Sequence, residues 1–294
     1  MAKPATPDVT EEVASTRKFG SSTHIYKPYK AGIPPLGPYF REIWYRREFL
    51  MELSKTNVRS GQLGTVFGRA WNIINPLLMG LVYFMLVMIL RGGRQGPEFF
   101  VYLIAGMFLY SMLTSSMTKG ATSVTGNKGM LTGTAVPTAL FPLAAVVTAI
   151  RKFLPTVIVL IIVGAITGVY PKMTWIAAVA MFFFMVVLAI GSAFFFATLQ
   201  VYFRDTKEFL GYLTRIGLFC SPILWKASEL PHALVIMQYI NPAFDMIGGW
   251  SMAVVYGQWP TGQMWLGAAL WSFGVLIVGF LFFVSRERDF AARI

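Results

Sequence analysis

The stretch "WNIINPLLMGLVYFMLVMIL", residues 71–90, holds twenty consecutive positions without a charged side chain. An α-helix rises about 1.5 Å per residue, so roughly twenty apolar residues cover the ~30 Å hydrocarbon core of a bilayer. Read outward from there, the chain repeats the pattern. Apolar runs follow at about 98–118, 138–170, 174–202, 209–225 and 263–284. The third run is ambiguous, because Arg151-Lys152 divides it into a 14-residue and an 18-residue piece. The shorter piece cannot cross alone, so one long helix or an interfacial lead-in is the better reading than two spans. The expectation is an all-α integral membrane protein with six transmembrane helices.

Composition points the same way. Of 294 residues 56% are apolar and only 13% charged, against about a quarter charged in a soluble domain. The net charge of +12 is unevenly spread: residues 1–70 carry eleven of the 25 Lys and Arg. Basic residues in membrane proteins accumulate on the cytoplasmic side. Eighteen fall in segments on the side of the N-terminus and four (Arg91, Arg94, Lys172 and Lys226) on the other. Arg151, Lys152 and Arg215 stay unassigned near helix ends. This excess predicts a multi-pass protein of a plasma membrane with both termini in the cytoplasm. It also explains the basic balance without nucleic acid.

The segments around the spans have their own character. Residues 1–38, rich in Pro, Ser, Thr and Lys, read as a flexible cytoplasmic tail with no signal-peptide core. Residues 39–58 read as an amphipathic interface helix, with Phe40, Ile43, Trp44, Leu50 and Met51 on one side. The six-span domain would occupy 59–294. Between the fifth and sixth spans, 230–257 contains apolar pieces too short to cross, broken by Pro231, Asn241-Pro242 and Gly248-Gly249. These read as re-entrant outer helices, with Glu229 and Asp245 in reach of water.

The chemistry is notable for what it lacks. One cysteine, Cys220, excludes an internal disulfide, and two distant histidines offer no metal spacing. Only five acids lie between Leu53 and Ser285: Glu98, Asp205, Glu208, Glu229 and Asp245. They form no pair inside a span, as an ion-coupled transporter or a lipid-processing enzyme would need. No GxxxxGK[ST] loop occurs, so no ATP is bound by that route. A passive conduit remains, or a transporter powered by another subunit. Most of the aromatic residues suit the interfacial belt or the core. Among them Tyr83, Tyr102, Phe108 and Tyr110 are candidates to line a conduit that passes sugar rings.

Five patterns in order resemble the permease subunit of type-two ABC transporters, in the branch that exports polysaccharides such as O-antigen, teichoic acid and galactan lipids. They are "SGQLGTVFGRAWNIINPLL" (60–78), "PEFFVYLIAGMFLYSML" (97–113), "SVTGNKGMLTGTAVPTALFPL" (123–143), "VYFRDTKEFLGYLTRIGLFCSPILW" (201–225) and "LPHALVIMQYINPAFDMI" (230–247). Two departures stand out: Gln200 or Val201 where an Asn is usual, and no basic residue after Pro137. The resemblance implies a homodimer, two separate ATP-binding-cassette subunits that hold ATP and Mg, and a polyprenyl-diphosphate-linked glycan as cargo. It implies coupling to the ATPase through Thr122, Asn127, Lys128, Leu131, Arg204 and Asp205. It places outer gate residues at Tyr239, Asn241, Pro242 and Phe244. Arg46, Arg47, Arg59 and Arg69 become candidates for the lipid diphosphate beside their ordinary anchoring role. Catalytic and metal residues are expected to be absent. The alternatives are a drug- or small-lipid-exporting permease of the same superfamily, and a membrane-embedded glycolipid-processing enzyme around Asp205 and Glu208.

Overall fold

Lipid offers no hydrogen bonds, so an apolar chain crosses it only where backbone groups pair internally. The computed structural model describes residues 35–60, 67–93, 96–133, 136–229 and 235–294, and every regular element among them is helical. The proposed tail therefore lies almost entirely outside the described residues. In chain order the helices are α1 (Leu36–Tyr45), α2 (Arg47–Ser60), α3 (Trp71–Leu90), α4 (Glu98–Gly126) and α5 (Lys128–Gly133). Then come α6 (Leu140–Thr167), α7 (Trp175–Tyr202), α8 (Thr206–Cys220), α9 (Ile236–Ile240), α10 (Phe244–Ser251), α11 (Gly262–Arg286) and α12 (Phe290–Arg293).

Five of these, α3, α4, α6, α7 and α11, are long and apolar enough to cross a membrane. The fifth expected span does not reach that length as a helix. It is α8, fifteen residues long, and it stops at Cys220. The cause is local: Pro222 has no N–H and pushes Ser221 out of the helical region, to φ −100° and ψ 150°. The ambiguous third run is one helix that passes straight through Arg151-Lys152. It ends at Gly168, whose positive φ of 84° lets Val169 N donate to Gly164 O at 2.8 Å. The interface segment is divided by a kink at Arg46, with φ −93° and ψ 17°.

At the centre stands α4. From Phe99 to Tyr110 all of its side chains are buried except that of Phe100, which is partly so. That is why this half of it is apolar all round. Apolar surface alone does not bind helices together in lipid; close backbone approach does. Here α7 supplies it. A Cβ on Gly191 would strike the backbone of α11 at Leu276, and one on Gly279 would strike the Gly191 carbonyl. On the other side a Cβ on Gly120 of α4 would meet Ala193.

A second, smaller core gathers where α4 ends: Val124, Ala139, Phe194, Phe283 and Phe290 are buried together, and Tyr39 and Ile43 of α1 pack on it. Two polar contacts fix this end, called the base below. Glu287 accepts from Tyr39 Oη at 2.6 Å and from the Thr138 N–H at 2.8 Å. Burial and the neighbouring Glu287 charge hold the Tyr39 hydroxyl above the ordinary tyrosine range, so it stays a donor. Beside α1, α2 docks on α6: Thr148 Oγ1 donates to buried Ser54 Oγ at 3.3 Å, and Arg151 Nη1 donates to Met51 O at 3.2 Å.

The glycine crossing yields a matched pair of substitutions on α11. Gly279→Ala forces a Cβ into backbone and should destabilise by about 1–3 kcal/mol or more. Gly274→Ala meets nothing within 4 Å and should be neutral or gain up to about 1 kcal/mol of helix propensity. Thermal unfolding of both variants in detergent is the check, and equal melting points would refute the crossing.

Candidate functional site

Polar side chains inside spanning helices are costly, so their placement is informative. On the base half of α4, Ser111, Thr114, Ser115, Thr118, Lys119 and Thr122 recur at steps of three and four and share one face. The threonines donate back along the helix: Thr114 to Ser111 O at 3.2 Å, Thr118 to Thr114 O at 2.8 Å, and Thr122 to Thr118 O at 3.3 Å. Their oxygen lone pairs remain free to face a polar ligand or water.

Two adjoining cavities open along this stripe. The narrower, about 200 Å³, lies between α3, α4 and α6 and is lined by Asn72, Asn75, Ser111, Ser115, Lys152 and Thr156 among others. The wider, about 450 Å³, lies between α3, α4 and α8, with Tyr83, Tyr110, Thr114, Thr214 and Arg215 on its walls. They share Asn75, Pro76 and Ser111. Together they form a polar groove with aromatic walls inside an apolar bundle.

The four candidate aromatics divide. Tyr83 and Tyr110 line the wider cavity and Phe108 the narrower. Tyr102 faces neither; it is buried, and its hydroxyl donates to Pro222 O at 2.8 Å with Trp225 O 3.0 Å away. Tyr110 Oη likewise donates to Thr214 O at 2.6 Å, over the bare face of Gly217. These two tyrosines, eight residues apart, clamp α8 and the turn after it onto α4.

At the base, Asn127 closes α4, its Nδ2 donating to Ser123 O at 2.6 Å. Lys128 donates to the Ile294 carbonyl, and Leu131 packs on the small core. Lys128 and Arg204 border one pocket of about 300 Å³ with Thr125, Gln200 and Arg293. The structure thus brings together candidates from two distant segments. Asp205 is exposed and makes no ion pair with Arg204; the turn is instead held by Gln200 Nε2, which donates to Arg204 O at 2.8 Å. The Gln200 Oε1 in that pocket is buried without a partner.

At the opposite end Asn241 acts as a splice. Its Nδ2 donates to Cys220 O at 3.0 Å and lies 2.9 Å from Ser221 Oγ, while its Oδ1 accepts from Ala243 N–H at 3.0 Å. Pro242 beside it is half-buried, Phe244 is fully buried against Trp225, and Tyr239 is exposed. Asp245, expected to reach water, is buried under Gly267 with Gln238 Nε2 at 3.5 Å. Glu229 is held by Arg91 at 2.7 Å.

The basic residues at the groove are Lys152 and Arg215. Of the arginines expected there, Arg46 pairs with Glu42 at 3.5 Å, and Arg47 lies over the Trp44 ring at 5.2 Å. Arg59 is exposed on the last turn of α2, and the Arg69 side chain lies outside the described residues. Sequence reading passed over the α4 stripe, although its spacing within "SMLTSSMTKGAT" was visible.

Two measurements test this geometry. Tyr102→Phe leaves the Pro222 carbonyl without its donor and should cost about 1–3 kcal/mol. Tyr83→Phe, which breaks no such bond, should cost close to nothing in the same thermal melts. The Arg91 hydrogen bond holds the Glu229 carboxyl below the usual range. Its contribution is therefore full above the ordinary carboxylate pKa and is lost as pH falls through the lowered one. Because the pair is about one-third exposed, Glu229→Gln should cost less than about 1 kcal/mol at pH 7. The gap from wild type should close on acidification.

Comparison with known proteins places this arrangement in a family. The chain is 27% identical over 208 residues, 70% of its length, to an O-antigen export system permease protein, RfbA, of Klebsiella pneumoniae, of which 80% is covered. It is 23% identical over 257 residues to the RfbA permease of Myxococcus xanthus, 86% of this chain and 98% of that one. Residues 53–255 match the model of the ABC-2 type transporter family. This match takes in both ends of the groove and the base pocket's α4 and α7 walls, and the chain belongs to the ABC-2 type transporter family.

Proposed function

We propose that this chain is the membrane permease of an ATP-driven exporter that carries a polyprenyl-diphosphate-linked polysaccharide across a bacterial inner membrane. The observation that carries the reading is the groove between α3, α4, α6 and α8, polar in its narrower branch and aromatic-walled in its wider one. Sugar hydroxyls need hydrogen-bonding partners and their ring faces suit aromatic planes, and the groove offers both. The relatives, which are O-antigen export permeases, supply the cargo class. The cargo is of cell-wall galactan, O-antigen or teichoic-acid type.

In this reading two copies of the chain pair, and two ATP-binding-cassette subunits bind ATP and Mg²⁺ at the base. The base pocket around Lys128 and Arg204, with α5 beside it, meets the ATPase. The opposite end, with Asn241, Pro242 and Phe244, forms the outer gate. Six crossings put both termini in the cytoplasm, with α8 in the fifth. Its fifteen residues rise about 22 Å, and the chain beyond it turns, Ile223 N donating to Ser221 O at 2.8 Å. Non-helical backbone at membrane depth survives only when its polar groups are met by protein. Tyr102 meets the Pro222 carbonyl, and Asn241 meets that of Cys220.

The test is reconstitution with the cognate ATPase in proteoliposomes. Polyprenyl-diphosphate-linked glycan should stimulate ATP hydrolysis and appear on the far face, whereas small amphiphilic drugs should do neither. Stimulation by drugs alone would favour the drug-exporting alternative. Lys128→Glu should leave the permease folded and abolish transport with hydrolysis uncoupled. Unchanged coupling would remove α5 from the ATPase contact.

A further inference from the structure

The narrower branch of the groove carries a charge that nothing among the described residues answers. Lys152 sits twelve residues into α6, between Arg151 and Phe153, and lines the narrower cavity. It is half-buried and makes no hydrogen bond or ion pair among the described residues. Its charged neighbour is Lys119 of the α4 stripe, so two positive charges face each other instead of cancelling. The cavity around it has no acid in its lining. Its polar groups are neutral and able to donate: the amides of Asn72 and Asn75, and the hydroxyls of Ser111 and Ser115. Thr156 has already spent its hydrogen on Phe153 O at 2.7 Å. Next door, across the shared Asn75 and Ser111, Arg215 adds a third positive charge.

One ammonium ringed by amide and hydroxyl donors, with no competing carboxylate, is a receptor for an anion whose oxygens accept many hydrogen bonds. We infer that the Lys152 cavity is a binding site for the diphosphate group of an amphiphile, held by Lys152 and the Asn72, Asn75, Ser111 and Ser115 side chains. The inference rests on the cargo class proposed above and assigns the anionic part of that cargo to particular residues. It moves the anion site away from the arginines of α1 and α2, two of which are already engaged with Glu42 and Trp44. Membership explains the helices and the groove; it does not by itself call for a lysine at this position. The wider branch, walled by Met79, Tyr83, Met107 and Phe219, then lies open to the less polar remainder of the same molecule.

The test uses the full chain in nanodiscs of zwitterionic lipid, with binding followed by native mass spectrometry. The probes are a polyprenyl diphosphate, the matching polyprenol, inorganic pyrophosphate and phosphatidylglycerol. The wild type should bind the polyprenyl diphosphate at least about tenfold more tightly than the polyprenol, a difference of roughly 1.4 kcal/mol. Lys152→Met should erase that preference, Lys152→Arg should keep most of it, and Asn75→Ala, on an exposed turn of α3, should weaken it about threefold or more. Inorganic pyrophosphate bound as tightly, and lost in Lys152→Met, would support the anion site while assigning it to a soluble ligand. Phosphatidylglycerol competing equally would overturn the selectivity for a diphosphate. Undiminished diphosphate binding by a folded Lys152→Met chain would overturn the site. Glycan-stimulated hydrolysis in that same variant would then show that the export reading survives without it.

Discussion

The crossing of α7 over α11 at Gly191 and Gly279 is the constraint on which the remaining arrangement depends. In lipid the helices gain nothing from hiding apolar surface, and the contact must come from backbones that approach closely enough for dispersion to accumulate. A carbonyl of α7 occupies the space that a Cβ of α11 would need. With that pair locked, Ala193 two residues on presses against Gly120 of α4. One short stretch of α7 therefore sets the positions of both neighbours.

With its outer half enclosed, α4 can be apolar there on every side and still carry polar side chains below. The enclosing helices leave one face of its base half uncovered, toward α3, α6 and α8. The polar stripe lies on that face. The groove is thus a consequence of packing: it is the surface that the glycine-tight contacts do not use. The same packing brings α6 round so that Lys152 enters from the far wall.

The reach of sequence reading follows from what each feature depends on. Long spans were legible because twenty apolar residues report on the bilayer directly, as in α3 and α11. The unbroken α6 was legible in part: the shorter half could not cross alone, which left one long helix or an interfacial lead-in. The extent of α8 was not, because hydropathy runs smoothly through Ser221-Pro222 while backbone geometry does not. Burial of Asp245 escaped notice because it depends on the bare Cα of Gly267, a distant residue on another helix. Tyr102 and Tyr110 carry identical side chains within one span, yet one is a core clamp and the other lines a cavity. Only tertiary placement separates them. The match of residues 53–255 to the family identified the architecture, while the groove had to be read from the packing.

One helix joins all of these places. At its base α4 ends in Asn127 and hands over to α5; at mid-length it carries the polar stripe; further on, Tyr110 and Tyr102 grip α8 and the turn behind it. Twenty-nine residues of continuous helix span about 43 Å. Such a rod has no Pro or kink along it to absorb a push, so displacement at α5 reaches the tyrosine clamps as a rigid movement. The clamps bond to backbone carbonyls, which cannot turn away by changing rotamer. On the proposed function, force from the ATPase is then delivered to the wall of the groove formed by α8. Its continuation leads through Asn241 to the outer gate. The absence of helix at Ser221–Trp225 fits this role, since a turn held by hydrogen bonds can bend where a regular span would have to tilt whole.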